Sequence, residues 1–202
     1  LHKLLSMRLE GKTHVSTTEL AEYMNIELIV VRKDIALTGV SGQRRVGYEI
    51  NELISYIKEY LGWQHPIIGT LIGAGALGSA ILGYDDFSHY GLRIESVFDS
   101  DPRKIGQTVH GHEIFDIADI RTRLANARPD IAIISVPGSA AQSVTDILID
   151  LGIKYLWSFA NVCLKVPHDV IVQREVIAGG YAMLAVKMKN ARSAHPIALI
   201  ED

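Results

Sequence analysis

Three glycines with the spacing Gly-x-Gly-x-x-Gly lie near the middle of the chain, in the segment Gly73-Ala74-Gly75-Ala76-Leu77-Gly78. The segment follows an apolar stretch of strand length and precedes a helical pattern. In that context the first glycine permits a tight turn, the second lets a pyrophosphate approach the backbone, and the third allows the helix to pack closely on the strand. The segment therefore predicts a dinucleotide-binding turn.

A carboxylate ends the next predicted strand, at Asp99. It lies about 20 residues beyond the last glycine, where a carboxylate can accept hydrogen bonds from the hydroxyls of an adenosine ribose. A 2′-phosphate beside Asp99 and Asp101 would be repelled, although Arg103 lies nearby. The pattern therefore favours NAD(H) over NADP(H) as the cofactor.

Small residues follow a later apolar strand, in the segment Pro137-Gly138-Ser139-Ala140-Ala141-Gln142. Ligands of open α/β sheets bind at the carboxyl edge of the strands. Small side chains there would let a nicotinamide lie close to the backbone, so we assign Pro137 to the cofactor site. A plain strand-to-helix turn is the alternative.

Basic residues are concentrated in one part of the N-terminal region. Between residues 32 and 45, Arg32, Lys33, Arg44 and Arg45 face a single acid, Asp34, although the whole chain carries a net charge of −3. The first pair lies on a predicted helix and the second on a glycine-bounded turn. A winged helix-turn-helix contacts DNA bases and phosphates from such positions. We therefore predict contacts with double-stranded DNA; a solvated surface is the alternative.

The spacing of helix caps and apolar residues in the N-terminal region predicts a helix-turn-helix. Ser16 and Glu19 form a capping box that predicts a helix from Thr17, which Asn25 ends. Apolar spacing predicts the next helix over residues 27–37, with its inward face formed by Leu28, Val31 and Ile35.

A predicted wing and a further helix complete this region. Residues 42–48 carry the second basic pair between glycines and lead into a short strand. Asn51 is the expected cap of a helix that stops at Gly62 and whose apolar stripe is Leu53, Ile54, Ile57 and Leu61. We therefore predict a winged-helix DNA-binding domain over residues 1–62 and a linker over 63–66.

Beyond the linker, apolar segments of strand length alternate with helical ones. This alternation predicts a parallel sheet covered by helices on both faces. The predicted strands are Ile67–Ile72, Ile94–Asp99, Asp130–Pro137, Tyr155–Phe159 and Val170–Val176. The expected fold class is α/β, with a winged helix-turn-helix domain followed by a Rossmann-like NAD(H)-binding domain over 67–176.

The composition is that of an ordinary globular protein: of 202 residues, 48% are hydrophobic and 21% are charged. The sequence has no apolar run long enough to span a bilayer and no signal-peptide pattern, so we expect a cytoplasmic protein with no membrane partner.

The single cysteine, Cys163, cannot form an intrachain disulfide, and its apolar neighbours predict a buried side chain. The eight histidines show no metal-ligand spacing, so we assign neither a metal nor a catalytic residue. The helical pattern is already under way at Leu1, so we expect further residues upstream in the natural protein.

Taken together, these motifs resemble the Rex family of redox-sensing transcriptional repressors, over almost the whole chain. The similar segments are Gly11-Lys12, Val15-Ser16, Glu19-Leu20, Arg32-Lys33-Asp34, Gly42–Tyr48, Gly73–Gly78, Phe98-Asp99-Ser100-Asp101 and Val136–Ser143. The resemblance implies a homodimer that binds a palindromic operator and releases it when NADH displaces NAD⁺. It also implies that the regulated genes serve fermentation and anaerobic respiration.

The resemblance further implies roles for the C-terminal residues. A domain-swapped dimerisation helix is expected over residues 177–190, followed by a tail over 191–202. Glu175 matches the aspartate that opens this helix in the family and acts near the nicotinamide of the partner subunit. The apolar face expected to pack against the partner consists of Met183, Leu184, Val186 and Met188.

Besides the glutamate at 175 in place of the family's aspartate, the chain departs from the family pattern at three places. The start of the recognition helix, usually small and polar, is Leu28-Ile29-Val30. An Asn-Phe-x-Pro segment of the family is replaced by Ser158-Phe159-Ala160-Asn161. Gly179 and Gly180 fall inside the last predicted helix, where a glycine costs about 1 kcal/mol relative to alanine. These differences concern residues that would select the operator or hold the nicotinamide.

Two other interpretations remain open at this level. A small NAD-dependent dehydrogenase or a CoA-binding enzyme subunit would share the Rossmann domain. The sequence leaves no room for a substrate domain and offers no His-Asp pair at a plausible position, so we predict that the chain is not an enzyme. A protein whose Rossmann domain only dimerises would bind no cofactor at all.

Overall fold

A computed structural model describes the backbone of residues 1–194 and the side chains of these residues except 126, 177, 193 and 194. The chain divides into two compact units. The N-terminal unit comprises Leu1–Pro66 and Asp86–Leu92, and the C-terminal unit comprises Ile67–Asp85 and the residues from Arg93 onward. Within the N-terminal unit, the Tyr90 ring of the later segment packs on the Trp63 ring, with 5.5 Å between their centroids.

The N-terminal unit is a winged helix-turn-helix. Its elements are α1 His2–Leu9, β1 His14–Val15, α2 Thr17–Met24, α3 Leu28–Leu37, β2 Tyr48–Glu49 and α4 Ile50–Tyr60. Leu4, Val31 and Leu53, from three different helices, are at most 2% exposed and form the centre of its core. The helices at 17 and 28 begin within one residue of their predicted starts.

The predicted ends of α2 are confirmed. The Ser16 hydroxyl accepts a hydrogen bond from the Glu19 backbone N–H at 3.1 Å and satisfies one of the free donors of the first turn. Asn25 ends the helix in the left-handed conformation, with φ of 50°. The Glu19 carboxylate binds the Lys12 ammonium, which ties the helix start to the preceding loop.

The predicted cap of α4 is wrong. The helix begins at Ile50, and its cap is Glu49, whose carboxylate accepts from the Glu52 N–H at 2.6 Å. Asn51 already lies within the first turn and donates its side-chain amide to Glu49 at 3.1 Å. The helix starts earlier because the strand before it ends in a residue that can itself cap. Leu61, predicted to be in the apolar stripe, is 43% exposed because it follows the last helical residue.

The wing is held by a short antiparallel pairing. β1 pairs with β2, with Val15 opposite Tyr48. An isolated bridge joins Gln43 to Gly47 and closes the turn that carries the two arginines. Gly47 has φ of 101°, and a Cβ there would lie 2.3 Å from the Val15 carbonyl oxygen. Glycine is therefore required by both conformation and space.

The C-terminal unit is a Rossmann-type sheet with helices. Its elements are β3 Ile67–Ile72, α5 Ala76–Leu82, β4 Leu92–Asp99, β5 Thr108–Val109, β6 His112–Asp116, α6 Ile120–Ala127, β7 Ile131–Ile134, α7 Gly138–Asp150, β8 Tyr155–Ser158, β9 Ile171–Arg174 and α8 Ile177–Ala194. The sheet order is β5-β6-β4-β3-β7-β8-β9. Without β5 this is the doubly wound order 3-2-1-4-5-6, whose ligand crevice lies where the order reverses, between β3 and β7. The fold class predicted from the sequence is confirmed.

The strand predicted over Asp130–Pro137 is shorter than expected. β7 ends at Ile134, and Ser135 turns toward the neighbouring strand, where its hydroxyl donates to the Gly73 carbonyl oxygen at 2.6 Å. Pro137 has no N–H to extend a ladder. The early end of the strand leaves both residues at the mouth of the crevice.

The sequence did not predict the β5–β6 hairpin. β5 has only two residues and is antiparallel to β6, whereas β6 is parallel to β4. β6 mixes polar and apolar residues, since only Ile114 of His112–Asp116 is fully buried. Such an edge pattern lacks the continuous apolar run of the central strands.

Cys163 is exposed, which corrects the expectation of a buried thiol. The segment around it is irregular, and its residues alternate between the interior and solvent. Val162, Leu164 and Val166 are partly buried, so the cysteine between them faces outward.

The last helix is longer than predicted. α8 runs from Ile177 to Ala194, through Gly179 and Gly180, and so includes four residues assigned to the tail. The remainder of the predicted tail, residues 195–202, lies outside the described residues.

Candidate functional sites

The three motif glycines serve different purposes in the turn between β3 and α5. Gly73 has φ of 97°, and a Cβ on it would lie 2.7 Å from the Ser135 carbonyl oxygen. A Cβ on Gly78 would lie 2.0 Å from the Gly73 carbonyl oxygen. At Gly75, by contrast, no heavy atom of the described residues except its chain neighbours comes within 4 Å of that position. The protein's own packing thus requires glycine at Gly73 and Gly78, whereas Gly75 borders open space.

The Asp99 carboxylate stabilises the glycine turn through hydrogen bonds. It is 8% exposed, and its carboxylate accepts from the Ala74 N–H at 2.7 Å, the Asp101 N–H at 2.8 Å and the Lys104 ammonium at 3.0 Å. Burial alone raises the pKa of Asp99, but these three hydrogen bonds together outweigh it, so the pKa lies below its ordinary value. The carboxylate is therefore ionised at neutral pH.

Two further charged residues beside Asp99 form a separate pair. The Arg103 guanidinium contacts both carboxylate oxygens of Asp101, at 2.8 and 3.0 Å. This pairing lowers the pKa of Asp101 to about 2. Arg103 is thus bound to Asp101, and the cation next to Asp99 is Lys104.

A cavity of about 660 Å³ opens at this edge of the sheet. The predicted site residues that line it are Gly73, Gly75, Ala76, Leu77, Asp99 and Pro137. The volume falls within the range of typical small-molecule pockets. Residues from the glycine turn, from the end of β4 and from the start of α7 therefore meet in one cleft.

Three predicted residues are not part of this lining as the structure describes it: Ala74, Gly78 and Glu175. Ala74 is buried and donates its backbone N–H to Asp99, and Gly78 lies against the Gly73 carbonyl oxygen. Glu175 accepts a hydrogen bond from the Trp157 indole N–H at 3.1 Å. The Trp157 ring in turn packs on Phe159, which does line the cavity, with centroids 5.0 Å apart.

Several residues of the cleft are not among the site residues predicted from the sequence: Lys104, Ile117, Ser143, Val144 and Ile147. Phe159, which also lines it, was indicated only as part of the segment that departs from the family pattern. Ala140, Ser143 and Ile147 share one face of α7 by their helical spacing, so the predicted position of Pro137 could have indicated them. Lys104 lies five residues after Asp99 in a loop, and no periodic pattern marks it.

The four predicted DNA-binding residues are all exposed on the N-terminal unit. Arg32 and Lys33 lie on α3, whose opposite face is buried at Val31 and Ile35. Arg44 and Arg45 lie in the wing turn, where Arg45 has a positive φ of 64°.

Helix α8 exposes large apolar side chains along its length: Tyr181 73%, Met183 62%, Leu184 54%, Val186 55% and Met188 43%. Among the described residues, nothing other than the helix itself and the chain neighbours comes within 4 Å of a Cβ placed on Gly179 or Gly180. The helix thus presents an unpartnered apolar surface in the single chain.

Within residues 1–194, no cluster of three or more His, Cys, Asp or Glu side chains has an arrangement suited to a metal ion. In the same part of the chain, no helix is both long enough and apolar enough to cross a membrane.

Known proteins share this organisation over nearly the whole chain. The redox-sensing transcriptional repressor Rex of Treponema denticola is 39% identical over 192 residues, which cover 95% of this chain and 91% of the relative. The crystal structure of RSP in complex with β-NAD⁺ and operator DNA superposes with a TM-score of 0.82 at 29% identity, over 95% of this chain and 88% of the other. The structure of RSP with β-NADH gives a TM-score of 0.81 at the same identity, over 95% and 89% of the two chains. A family model described as CoA binding domain matches residues 69–162, which is the Rossmann core.

A winged helix-turn-helix followed by a Rossmann unit with a glycine-turn cleft defines a class of two-domain transcription regulators. Within that class, the chain belongs to the Rex family of redox-sensing transcriptional repressors, which confirms the resemblance found in the sequence.

Proposed function

We propose that this protein is a homodimeric repressor that binds operator DNA and releases it when NADH takes the place of NAD⁺. The relative named RSP has been crystallised with β-NAD⁺ and operator DNA, and with β-NADH. The observation that carries the proposal to this chain is the open space beside Gly75. At the other two glycines of the turn, the position that a Cβ would take is already occupied by atoms of the protein.

The cleft fits a dinucleotide. Gly73, Gly75, Ala76 and Leu77 would hold the pyrophosphate, with Ala74 and Gly78 fixing the shape of the turn. Asp99 would hold the adenosine ribose. A carboxylate offers about four acceptor positions, and three are already used here, which leaves room for one hydroxyl. The Lys104 ammonium lies beside it with further donors.

The nicotinamide end would lie near Pro137, together with Glu175 of a second subunit. The bound cofactor supplies a charge difference, since the nicotinamide ring is cationic in NAD⁺ and neutral in NADH. We propose that the residues of the chain orient the ring without reacting with it, and that the protein has no enzymatic activity.

The DNA would be bound by the winged-helix domain over residues 1–62, which lies within the N-terminal unit. Arg32 and Lys33 on α3 would contact base edges and phosphates in the major groove, and Arg44 and Arg45 would contact the backbone or the minor groove. The NAD(H)-binding domain would span 67–176, and the helix that begins at 177 would join two copies. We infer a cytoplasmic location from this role.

A fluorescence anisotropy titration tests the proposal. The full chain is titrated onto duplexes selected from a random library, in the presence of NAD⁺, NADH or NADPH. We expect NADH to bind tightest and to release the duplex, and NAD⁺ to permit binding. Duplex binding that no nicotinamide cofactor changes would contradict the proposal, and so would turnover of NADH without any duplex bound.

The salt dependence of binding tests the basic residues. Arg44→Ala should weaken all sequences alike and reduce the slope of log affinity against log salt by about one unit. Arg32→Ala should lower affinity and relax base preference. An unchanged slope for Arg44→Ala would rule out a phosphate contact at that residue.

A further inference from the structure

Helix α3 presents apolar side chains to solvent at its first turn. Ile29 is 52% exposed and Val30 is 41% exposed, whereas Val31 is 2% exposed in the core. Lys33, one turn after Ile29, lies on the same outer face. The outward surface of the helix therefore begins with two branched apolar side chains and continues with a cation.

The first turn of α3 is the part of a helix-turn-helix that recognises DNA bases. In a helix-turn-helix the residues at the start of the second helix contact base edges in the major groove. The major-groove edges carry hydrogen-bond donors and acceptors, and their apolar group is the C5-methyl of thymine. The side chains of Ile29 and Val30 can make no hydrogen bonds. A polar base edge packed against them would therefore lose its hydrogen bonds to water and gain none in return.

The surrounding charge favours a nucleic acid over an apolar protein surface. Arg32 and Lys33 follow on the same helix, and Arg44 and Arg45 lie on the wing; all four are exposed. The acidic residues of the helix and its cap are Asp34 and Glu27. The exposed cations on α3 and on the wing turn thus outnumber the acids of α3 and its cap, which favours the phosphates of a nucleic acid as the partner of this unit.

We propose that Ile29 and Val30 read thymine methyl groups, so that the operator carries thymines where the first turn of α3 meets each half-site. This inference rests on the proposed function, because it requires that α3 enters the major groove. It makes the two residues determinants of operator specificity, alongside the basic residues that supply affinity.

Replacing single thymidines by deoxyuridine in a selected duplex removes one methyl group at a time and leaves every hydrogen bond intact. We expect affinity for the wild-type protein to fall about threefold to fivefold at one or two positions per half-site, since one buried methyl is worth about that much. Ile29→Ser and Val30→Ser should each abolish the effect at one of these positions.

Leu37→Ser is the matched control, because Leu37 is an exposed apolar residue at the other end of α3. It should keep the deoxyuridine sensitivity of the wild type. Urea unfolding of each variant shows whether the N-terminal unit remains folded, which is expected since all three side chains are exposed.

The outcomes separate the two proposals. If the library yields no preferred duplex, the proposed function and this inference both fail. If duplexes are selected but every deoxyuridine is tolerated, the repressor function stands and the thymine reading is overturned. Unchanged duplex affinity in both Ile29→Ser and Val30→Ser would also overturn it and would leave this face for a protein partner.

Discussion

Gly75 and Gly78 belong to one motif but are glycines for opposite reasons. A Cβ on Gly78 would collide with the Gly73 carbonyl oxygen at 2.0 Å, so the turn could not keep its shape. A Cβ on Gly75 would meet nothing in the described part of the chain within 4 Å, apart from its sequence neighbours. Gly78 is therefore required by the fold, whereas Gly75 borders the open space where the proposed dinucleotide would bind.

Alanine substitutions separate these two roles. Gly78→Ala should lower the free energy of unfolding by about 1–3 kcal/mol through overpacking. Gly75→Ala should fold as well as the wild type but bind NADH about tenfold or more weakly, since one charge-assisted hydrogen bond is worth about 1.5–3 kcal/mol. Urea unfolding and calorimetry with NADH measure the two effects. Equal losses of stability in both variants would contradict the distinction.

Asp99 links the stability of the turn to pH. Its pKa in the folded protein is below the ordinary value of 3.8, so its contribution to stability is complete above that pH and is lost as the pH falls through the folded pKa. The difference in free energy of unfolding between wild type and Asp99→Asn should therefore be constant from about pH 5 to pH 7 and shrink in stronger acid. A difference that grows on acidification would show that the folded pKa is raised instead.

Lys104 beside Asp99 bears on cofactor choice. Its ammonium lies 3.0 Å from the Asp99 carboxylate and lines the cleft, so it could also meet a 2′-phosphate. Lys104→Met should lower NADPH affinity by about tenfold relative to NADH, the scale of one charge-assisted hydrogen bond. Competition binding with both cofactors measures the ratio, and Arg103→Met is the control because Arg103 is bound to Asp101. An unchanged ratio in Lys104→Met would exclude this role.

At the scale of elements, helix α4 depends on a cap that comes from the preceding strand. Glu49 pairs with His14 as a strand residue and accepts from the Glu52 N–H as a helix cap. One residue thus joins the wing to the helix that follows it. The sequence pattern around Asn51 did not show this, because the choice between two polar residues depends on where the strand ends.

Glu49→Ala should lower the urea midpoint of the protein, because it leaves the first turn of α4 without its acceptor. Asn51→Ala should lower it less, because Asn51 donates only to Glu49. Far-UV circular dichroism during urea unfolding compares the two variants. A larger loss for Asn51→Ala would restore asparagine as the cap.

In the quaternary structure that we propose, the exposed large apolar side chains of α8, which lie between Tyr181 and Met188, would pack against a second copy. Leu184→Asp should convert the proposed dimer to a monomer, because it would place a charge in the apolar interface that we propose on α8. Leu9→Asp, at a leucine on α1 that is 87% exposed, is the control and should remain dimeric. Sedimentation equilibrium measures the mass of each variant.

The monomer should also bind a duplex with two half-sites more weakly than the dimer. In the dimer, binding of one DNA-binding domain raises the effective concentration of the other at the second half-site. Dimers in both leucine variants would show that α8 does not carry the interface.

Local sequence patterns were sufficient to predict the order of the two domains, the helix-turn-helix boundaries and the glycine turn with Asp99. These depend on local rules: capping by Ser16, the left-handed end at Asn25, and a strand followed by three spaced glycines all act within a few residues. The tertiary structure decided the rest. Phe159 reaches the cleft and Glu175 binds Trp157 because strands distant in sequence meet in one sheet. Lys104 reaches the cleft from the loop after β4, and Cys163 faces solvent from an irregular segment, so neither belongs to a periodic element. Contacts of that kind depend on where the chain returns, which no short pattern records.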